Sequence, residues 1–262
     1  MTVFLDLFSG IGGFALAAYW AGLRFDKHYF SEVDDYAVKL YKKRFPEAKP
    51  LGDIRNVDYA KLPKGEWIVT GCFPCQPHSV AGKKQGAADE RDLWPECRRM
   101  LCELRPEIAL FENVPGLFTS PGGNRRGEFF NGVLSDISKS GYDAEWQIIS
   151  AAEVGAPHKR ERIWIVAYPK GEHGKFFSVH ERTTNKKHKN HPEEWAKLHT
   201  TFERNNNLYN WEANESILTR DYDGLSEELD AIKGAGNAIV PQNAEMIFNL
   251  PAFDRWRIKE VV

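Results

Sequence analysis

An apolar run, Val3-Phe4-Leu5-Asp6-Leu7-Phe8, leads into the turn Ser9-Gly10-Ile11-Gly12-Gly13 and then into the apolar stretch Phe14 to Ala21. This order predicts a buried strand, a tight turn and a helix, the opening unit of an open α/β sheet. Gly10-x-Gly12-x-x-Ala15 satisfies the G-x-G-x-x-G/A pattern of nucleotide-binding units, in which glycine lets the backbone approach a ligand at a helix N-terminus. Tyr29-Phe30-Ser31 reads as a second strand, and Glu32 follows Gly12 by twenty residues. A carboxylate there can accept hydrogen bonds from both hydroxyls of an adenosine ribose. Asp35 to Arg44 has the pattern of an amphipathic helix, and Gly52-Asp53-Ile54 reads as the end of a third strand. Asp53 is a candidate for an adenine amino group and equally for a simple turn residue. The pattern admits a dinucleotide as well, so an NAD-type oxidoreductase competes at this point.

A second feature follows the apolar run Trp67-Ile68-Val69-Thr70. The loop Gly71-Cys72-Phe73-Pro74-Cys75-Gln76-Pro77-His78 places a thiol between two prolines, on a stiff segment at a strand's end. Cys72-Phe73-Pro74-Cys75 also fits a C-x-P-C redox pair or half a zinc site, and Cys75 could be an inert buried thiol. Pro77 opposes the helix that a redox pair needs, and Cys97 and Cys102 do not repeat the C-x-x-C spacing. A nucleophile is the main reading, with the inert thiol and the redox or metal pair kept as alternatives.

Asp92 to Leu104 has helical spacing, with Leu93, Cys97, Leu101 and Leu104 on one side. Glu107-Ile108-Ala109-Leu110-Phe111 reads as a buried strand, with Glu112-Asn113-Val114-Pro115-Gly116 just past its end, where open α/β sheets bind ligands. Arg126 to Ser140 reads as a helix, and Tyr142 to Ile149 and Ile163 to Ala167 as strands. The alternating Arg160 and Arg162 would share one face on entering the last of these, or form a solvated charged edge.

The chain has 262 residues and a formal net charge of −2, which by itself says nothing in favour of nucleic acid. Asp6 interrupts the N-terminal apolar run and no basic region precedes it, so no signal peptide is expected. No apolar run reaches the ~18 residues of a membrane span. Four cysteines do not suggest a disulfide framework, which makes a reducing cytoplasm the expected location.

Asp6-Leu7-Phe8-Ser9-Gly10-Ile11-Gly12-Gly13, Pro74-Cys75-Gln76, Glu112-Asn113-Val114, Arg160-x-Arg162 and Gly236-Asn237-Ala238-Ile239-Val240-Pro241 occur in one chain and in this order. Together they resemble the DNA (cytosine-5) methyltransferases, in a compact bacterial or phage form. The resemblance runs from residue 3 to about 168 and again from 234 to 250. It implies a Rossmann-like, open and mostly parallel α/β sheet flanked by helices, with a small target-recognition domain inserted at 168–233 and the catalytic domain made of 1–167 and 234–262. It implies methyl transfer from S-adenosylmethionine to C5 of cytosine in a specific sequence of double-stranded DNA. Cys75 would add to C6 of a flipped-out base, Glu112 would hold N3, and Arg160 and Arg162 would steady the base. Phe8, Gly10, Ile11, Gly12, Glu32, Val33, Asp53, Ile54, Pro74, Leu93, Asn237 and Ala238 would form the cofactor pocket. A monomer is expected, with no membrane association and no metal. The chain departs from the family at His158, which stands where glutamine is usual. Cys72 stands where glycine is frequent, and His78 where phenylalanine is frequent.

Between Lys170 and Arg204 apolar periodicity is lost, and basic residues alternate with Phe176, Phe177, Trp195 and Phe202. Such a tract can bind nucleic acid or be a solvated insertion. His173, His180, His188, His191 and His199 match no compact metal-ligand spacing. A transfer-RNA methyltransferase of the same fold remains a rival reading, and a dinucleotide-dependent oxidoreductase is a rival from another class.

Overall fold

The computed structural model describes residues 1–74, 92–120, 126–154, 159–171 and 239–257. Within them, seven strands form one sheet in the order β3-β2-β1-β4-β5-β7-β6. The strands are β1 Thr2–Leu7, β2 Lys27–Ser31, β3 Lys49–Pro50, β4 Glu66–Gly71, β5 Ile108–Asn113, β6 Tyr142–Ser150 and β7 Glu161–Pro169. Strands β1 to β5 pair in parallel, and β7 runs antiparallel to both its neighbours. The helices are α1 Gly13–Trp20, α2 Asp35–Arg44, α3 Trp94–Leu104, α4 Glu128–Lys139 and α5 Pro241–Phe248.

The inner strands are continuous apolar runs because both faces of the sheet are covered, as a parallel sheet requires. Alternate residues divide between two cores. Phe4, Ile68, Leu110, Trp164 and Val166 pack on one face with Phe14, Ala18, Tyr41, Ile247 and Phe248 from α1, α2 and α5. Val3, Leu5, Val69, Ala109 and Ile165 pack on the other with Cys97, Leu101, Val133 and Ile137 from α3 and α4. Helix α1 is apolar nearly all round because it is enclosed, with the C-terminal segment lying against it. A Cβ on Gly13 would sit 2.6 Å from Ile239 Cγ1, so a larger residue there would push the returning segment away.

Most expected elements stand within a residue or two of their predicted limits, and α2 spans Asp35–Arg44 as read from the sequence. Three expectations need correction. The third strand is Lys49–Pro50 alone, and Asp53 instead caps a 3₁₀ turn at Ile54–Asn56, its carboxylate accepting the Arg55 N–H. Glu112 lies inside β5 and not past its end, paired with Trp164 of β7. Arg160 precedes β7 with φ +23°, so the two arginines do not share an extended alternation. Strand β7 continues through Tyr168 and Pro169. The recognition segment expected at 168–233 otherwise falls outside the described residues beyond Gly171.

Candidate active site

The carboxyl ends of β1, β2, β4 and β5 lie side by side, and Phe8, Glu32, Pro74 and Glu112 stand at or just past them. On the β1–β2 side, Phe8 leaves the strand at φ +51°, and the loop is tied to β2 by the Ser9 N–H donating to the Ser31 carbonyl at 3.2 Å. Glu32 is the anchor of this loop. Its Oε2 accepts the Gly10 N–H at 2.8 Å, and its Oε1 accepts those of Val33 and Asp34 at 2.8 and 2.9 Å. A carboxylate offers about four acceptor positions, so the side chain is largely engaged by its own backbone and retains room for one further donor. Val33 is 68% exposed beside it, an apolar surface at the mouth of the loop. Among the described residues, nothing lies within 4 Å of the position that a Cβ on Gly10 would take.

Ser31 continues the scaffold by donating to the Gly52 carbonyl at 2.6 Å, which brings Asp53 to the same edge. The Asp53 carboxylate is paired with Arg55, which holds it below the usual carboxylate range. Ile11 and Ile54 are buried, and they contribute to the interior beneath this edge. The Ile11 carbonyl accepts Arg44 Nη1 at 2.7 Å, and the Ile54 carbonyl accepts Arg99 Nη2 at 2.7 Å. Pro74 and Leu93 are half-buried, at the limits of the segment 75–91. Cys75, Asn237 and Ala238 lie outside the described residues, as do His78 and His158.

On the β4–β5–β7 side the groups face one another. Strands β4 and β5 pair with Gly71 opposite Phe111, so one residue further places Cys72 opposite Glu112. Cys72 Sγ donates to Glu112 Oε2 at 2.9 Å, and Arg162 Nε lies 3.0 Å from Oε1. Glu112 is 2% exposed. Burial pushes its carboxyl above the ordinary value, against the lowering effects of the Cys72 thiol, Arg162 and Arg160. Burial and the neighbouring Arg162 charge press the Arg160 guanidinium the other way. The next residue, Asn113, donates from its side-chain amide to the Phe73 carbonyl at 2.9 Å and locks the start of the cysteine loop. Neither Cys72 nor Asn113 was given a role from sequence, although the period-two alternation through Ile68, Thr70 and Cys72 carries that information.

Beneath both sides lies Asp6, fully buried. Thr70 Oγ1 donates to its Oδ1 at 2.8 Å and the Tyr41 hydroxyl to its Oδ2 at 3.2 Å, while His28 Nε2 is 2.8 Å from the Tyr41 hydroxyl. Burial lifts Asp6 to about 7 and lowers His28 to about 4. Among the described residues no group of three His, Cys, Asp or Glu could hold a metal ion, and no helix is long and apolar enough to cross a membrane.

Strand order, helices on both faces and a ligand edge at the carboxyl ends define a Rossmann-like methyltransferase-type α/β fold. The chain belongs to the C-5 cytosine-specific DNA methylase family, whose model matches residues 2–224. It is 37% identical over 170 residues to the type II methyltransferase M.BsuFI of Bacillus subtilis, a match covering 63% of this chain and 39% of that protein. It is also 37% identical over 165 residues to the type II methyltransferase M.HaeII of Haemophilus aegyptius, covering 63% and 49%. The chain thus spans half or less of the length of these relatives. The crystal structure of a DNMT2 variant from Spodoptera frugiperda shares the fold, with a TM-score of 0.54 at 24% identity over 66% of this chain and 51% of that one.

Proposed function

We propose that this chain transfers a methyl group from S-adenosylmethionine to C5 of cytosine within a specific sequence of double-stranded DNA. The observation that carries the reading is the buried Glu112 carboxyl, clasped between Cys72 and Arg162 on the strand next to the cysteine loop. C5 of cytosine is a weak nucleophile, and addition of a thiolate at C6 turns it into an enamine carbon. Cys75 is assigned that addition. Burial raises the Glu112 carboxyl above its ordinary value, and Glu112 is assigned to hold N3 with a proton between them as negative charge develops on the ring. Arg162 and Arg160 stabilise that charge from the β7 side. A base inside a duplex is out of reach of such a site, so it is flipped out, at ~a few kcal/mol.

The opposite side fits the cofactor. The clearance at Gly10, the exposed Val33, the remaining acceptor position on Glu32 and the Asp53 carboxylate suit a ribose and an adenine ring. Phe8, Gly12, Ile11, Ile54, Pro74 and Leu93 are assigned to this pocket, and Asn237 and Ala238 with them. Bound there, S-adenosylmethionine supplies an electrophilic methyl group. The segment 168–233 is assigned to sequence choice, with 1–167 and 234–262 as the catalytic domain. A place beside a restriction enzyme, a monomeric state and a cytoplasmic location belong to the same proposal.

The test supplies labelled S-adenosylmethionine with duplex DNA in one arm and transfer RNA in the other. Methylation of DNA with 5-methylcytosine at one sequence is expected. Duplexes carrying 5-fluorocytosine at that position should trap a covalent adduct on Cys75, lost in Cys75→Ser and kept in Cys72→Ser. Label entering transfer RNA alone, or an adduct mapped to Cys72, would overturn the assignment.

A further inference from the structure

Cys72 stands in this site where the methylase pattern frequently has glycine, and the backbone on both sides of it is fixed. Gly71 is held in the β4–β5 ladder opposite Phe111, and the Phe73 carbonyl accepts the Asn113 amide at 2.9 Å. The Phe73 ring is buried against Trp94 and Phe111. Between these anchors the thiol is delivered to Glu112, with Sγ 2.9 Å from Oε2. The other oxygen faces Arg162 Nε at 3.0 Å. The carboxyl is therefore gripped from two sides, by a neutral donor just past β4 and by a cation from β7.

We propose that Cys72 is a positioning residue for Glu112, its S–H holding Oε2 while Arg162 holds Oε1, so that the carboxyl meets the base in one orientation. The inference rests on the methyl-transfer reading above. A hydrogen bond donated to a carboxylate stabilises the ionised form. The thiol therefore works in the same direction as Arg162 and Arg160, the charged groups that act on Glu112 from the β7 side, and all three oppose burial. Removing the thiol leaves Oε2 buried without that donor and makes the carboxylate harder to form. Glu112 then keeps its proton to higher pH. Serine at the same place retains a donor.

The experiment follows the Glu112 carboxyl by infrared difference spectroscopy through a pH titration of the whole protein, its band assigned by loss in Glu112→Gln. Cys72→Ala should raise the titration midpoint by about one pH unit, the scale of one hydrogen bond to a charged group. Cys72→Ser should hold it at or below the wild-type value. The pH profile of single-turnover methyl transfer to duplex DNA should move with the infrared midpoint in each variant. A folded Cys72→Ala with the wild-type midpoint would overturn the proposal. If that variant does not fold, the wild-type S–H stretching band decides. A Cys72 band that shifts together with the Glu112 titration supports the contact, and one that stays fixed throughout overturns it. If DNA is not methylated, the proposed function fails, while the infrared titration still reads the Cys72–Glu112 contact. If DNA is methylated and the midpoint is unmoved, only the role of Cys72 fails.

Discussion

The two halves of the sheet's carboxyl edge are held by different means. At the ends of β1 and β2 a side chain is fixed by backbone, Glu32 receiving the N–H groups of Gly10, Val33 and Asp34. At the ends of β4, β5 and β7 side chains are fixed by one another, Glu112 lying between Cys72 and Arg162. The first arrangement is local and survives many changes in the residues around it, because peptide groups do not mutate. The second depends on three side chains, two from β5 and β7 and one just past β4, and fails if any one is lost. A half built from backbone suits a ligand that is the same in every turnover. A half built from paired charges suits a group that must change its protonation during one.

The comparison can be broken most forcefully at Glu112. Glu112→Gln should reduce methyl transfer by about 10²–10⁴-fold, the usual range for a positioned acid or base. Cofactor affinity measured by calorimetry should remain close to wild type. A parallel loss of cofactor binding would show that the two halves are not separate.

Gly12→Ala tests the backbone half. At φ +89° a Cβ is strained, and it would lie 2.7 Å from Phe45 Cε2. A stability loss of about 2–4 kcal/mol is expected by denaturant unfolding, combining the left-handed conformation with overpacking.

Glu32→Ala should weaken S-adenosylmethionine binding by about 1–3 kcal/mol, through loss of its own contact and of the loop it organises. If DNA binding collapses while cofactor affinity is unchanged, Glu32 belongs to the other half.

Arg99 sharpens the picture from a distance. It reaches from α3 to the carbonyls of Ile54 and Val57 at 2.7 and 2.9 Å and so fixes the turn that carries Asp53. Arg99→Ala should raise the KM for the cofactor about fivefold, ~1 kcal/mol, with kcat little changed. A fall in kcat at constant KM would reject this.

The two halves also differed in how far they could be read beforehand. The glycine turn and Glu32 are encoded within a few tens of residues, and parallel strands buried on both faces announce themselves as apolar runs. The third strand was misplaced because its ladder is the short, exposed pair Lys49–Pro50, which carries no apolar signal. Asp53 was left between two readings because an aspartate that caps a 3₁₀ turn looks the same in sequence as one that awaits a ligand. The Glu112 clasp joins residues 40 and 50 positions apart, through a register that no local pattern states. Arg160 was expected to extend the alternation of β7, and its positive φ places it outside the strand.

The buried line from Asp6 through Tyr41 to His28 has a consequence for how the fold answers acid. Asp6 binds a proton more tightly when folded, at about 7 against 3.8. Its contribution is full below pH 3.8 and is lost as pH rises through 7, on the order of 4 kcal/mol in all. His28 binds one more weakly when folded, at about 4 against 6.5. Its contribution is full above 6.5 and is lost as pH falls through 4, on the order of 3 kcal/mol. Between these limits unfolding moves one proton from the carboxyl to the imidazole and takes up almost none from solvent. Removing the offset in His28→Asn should therefore make stability measured by denaturant unfolding slope more steeply downward with rising pH from 4.5 to 6 than in the wild type. A wild type as steep as the variant would mean that the two groups do not offset each other. With the offset in place, two misfit ionisable groups sit among apolar side chains, and burying the pair exchanges almost no net proton with the medium over that range.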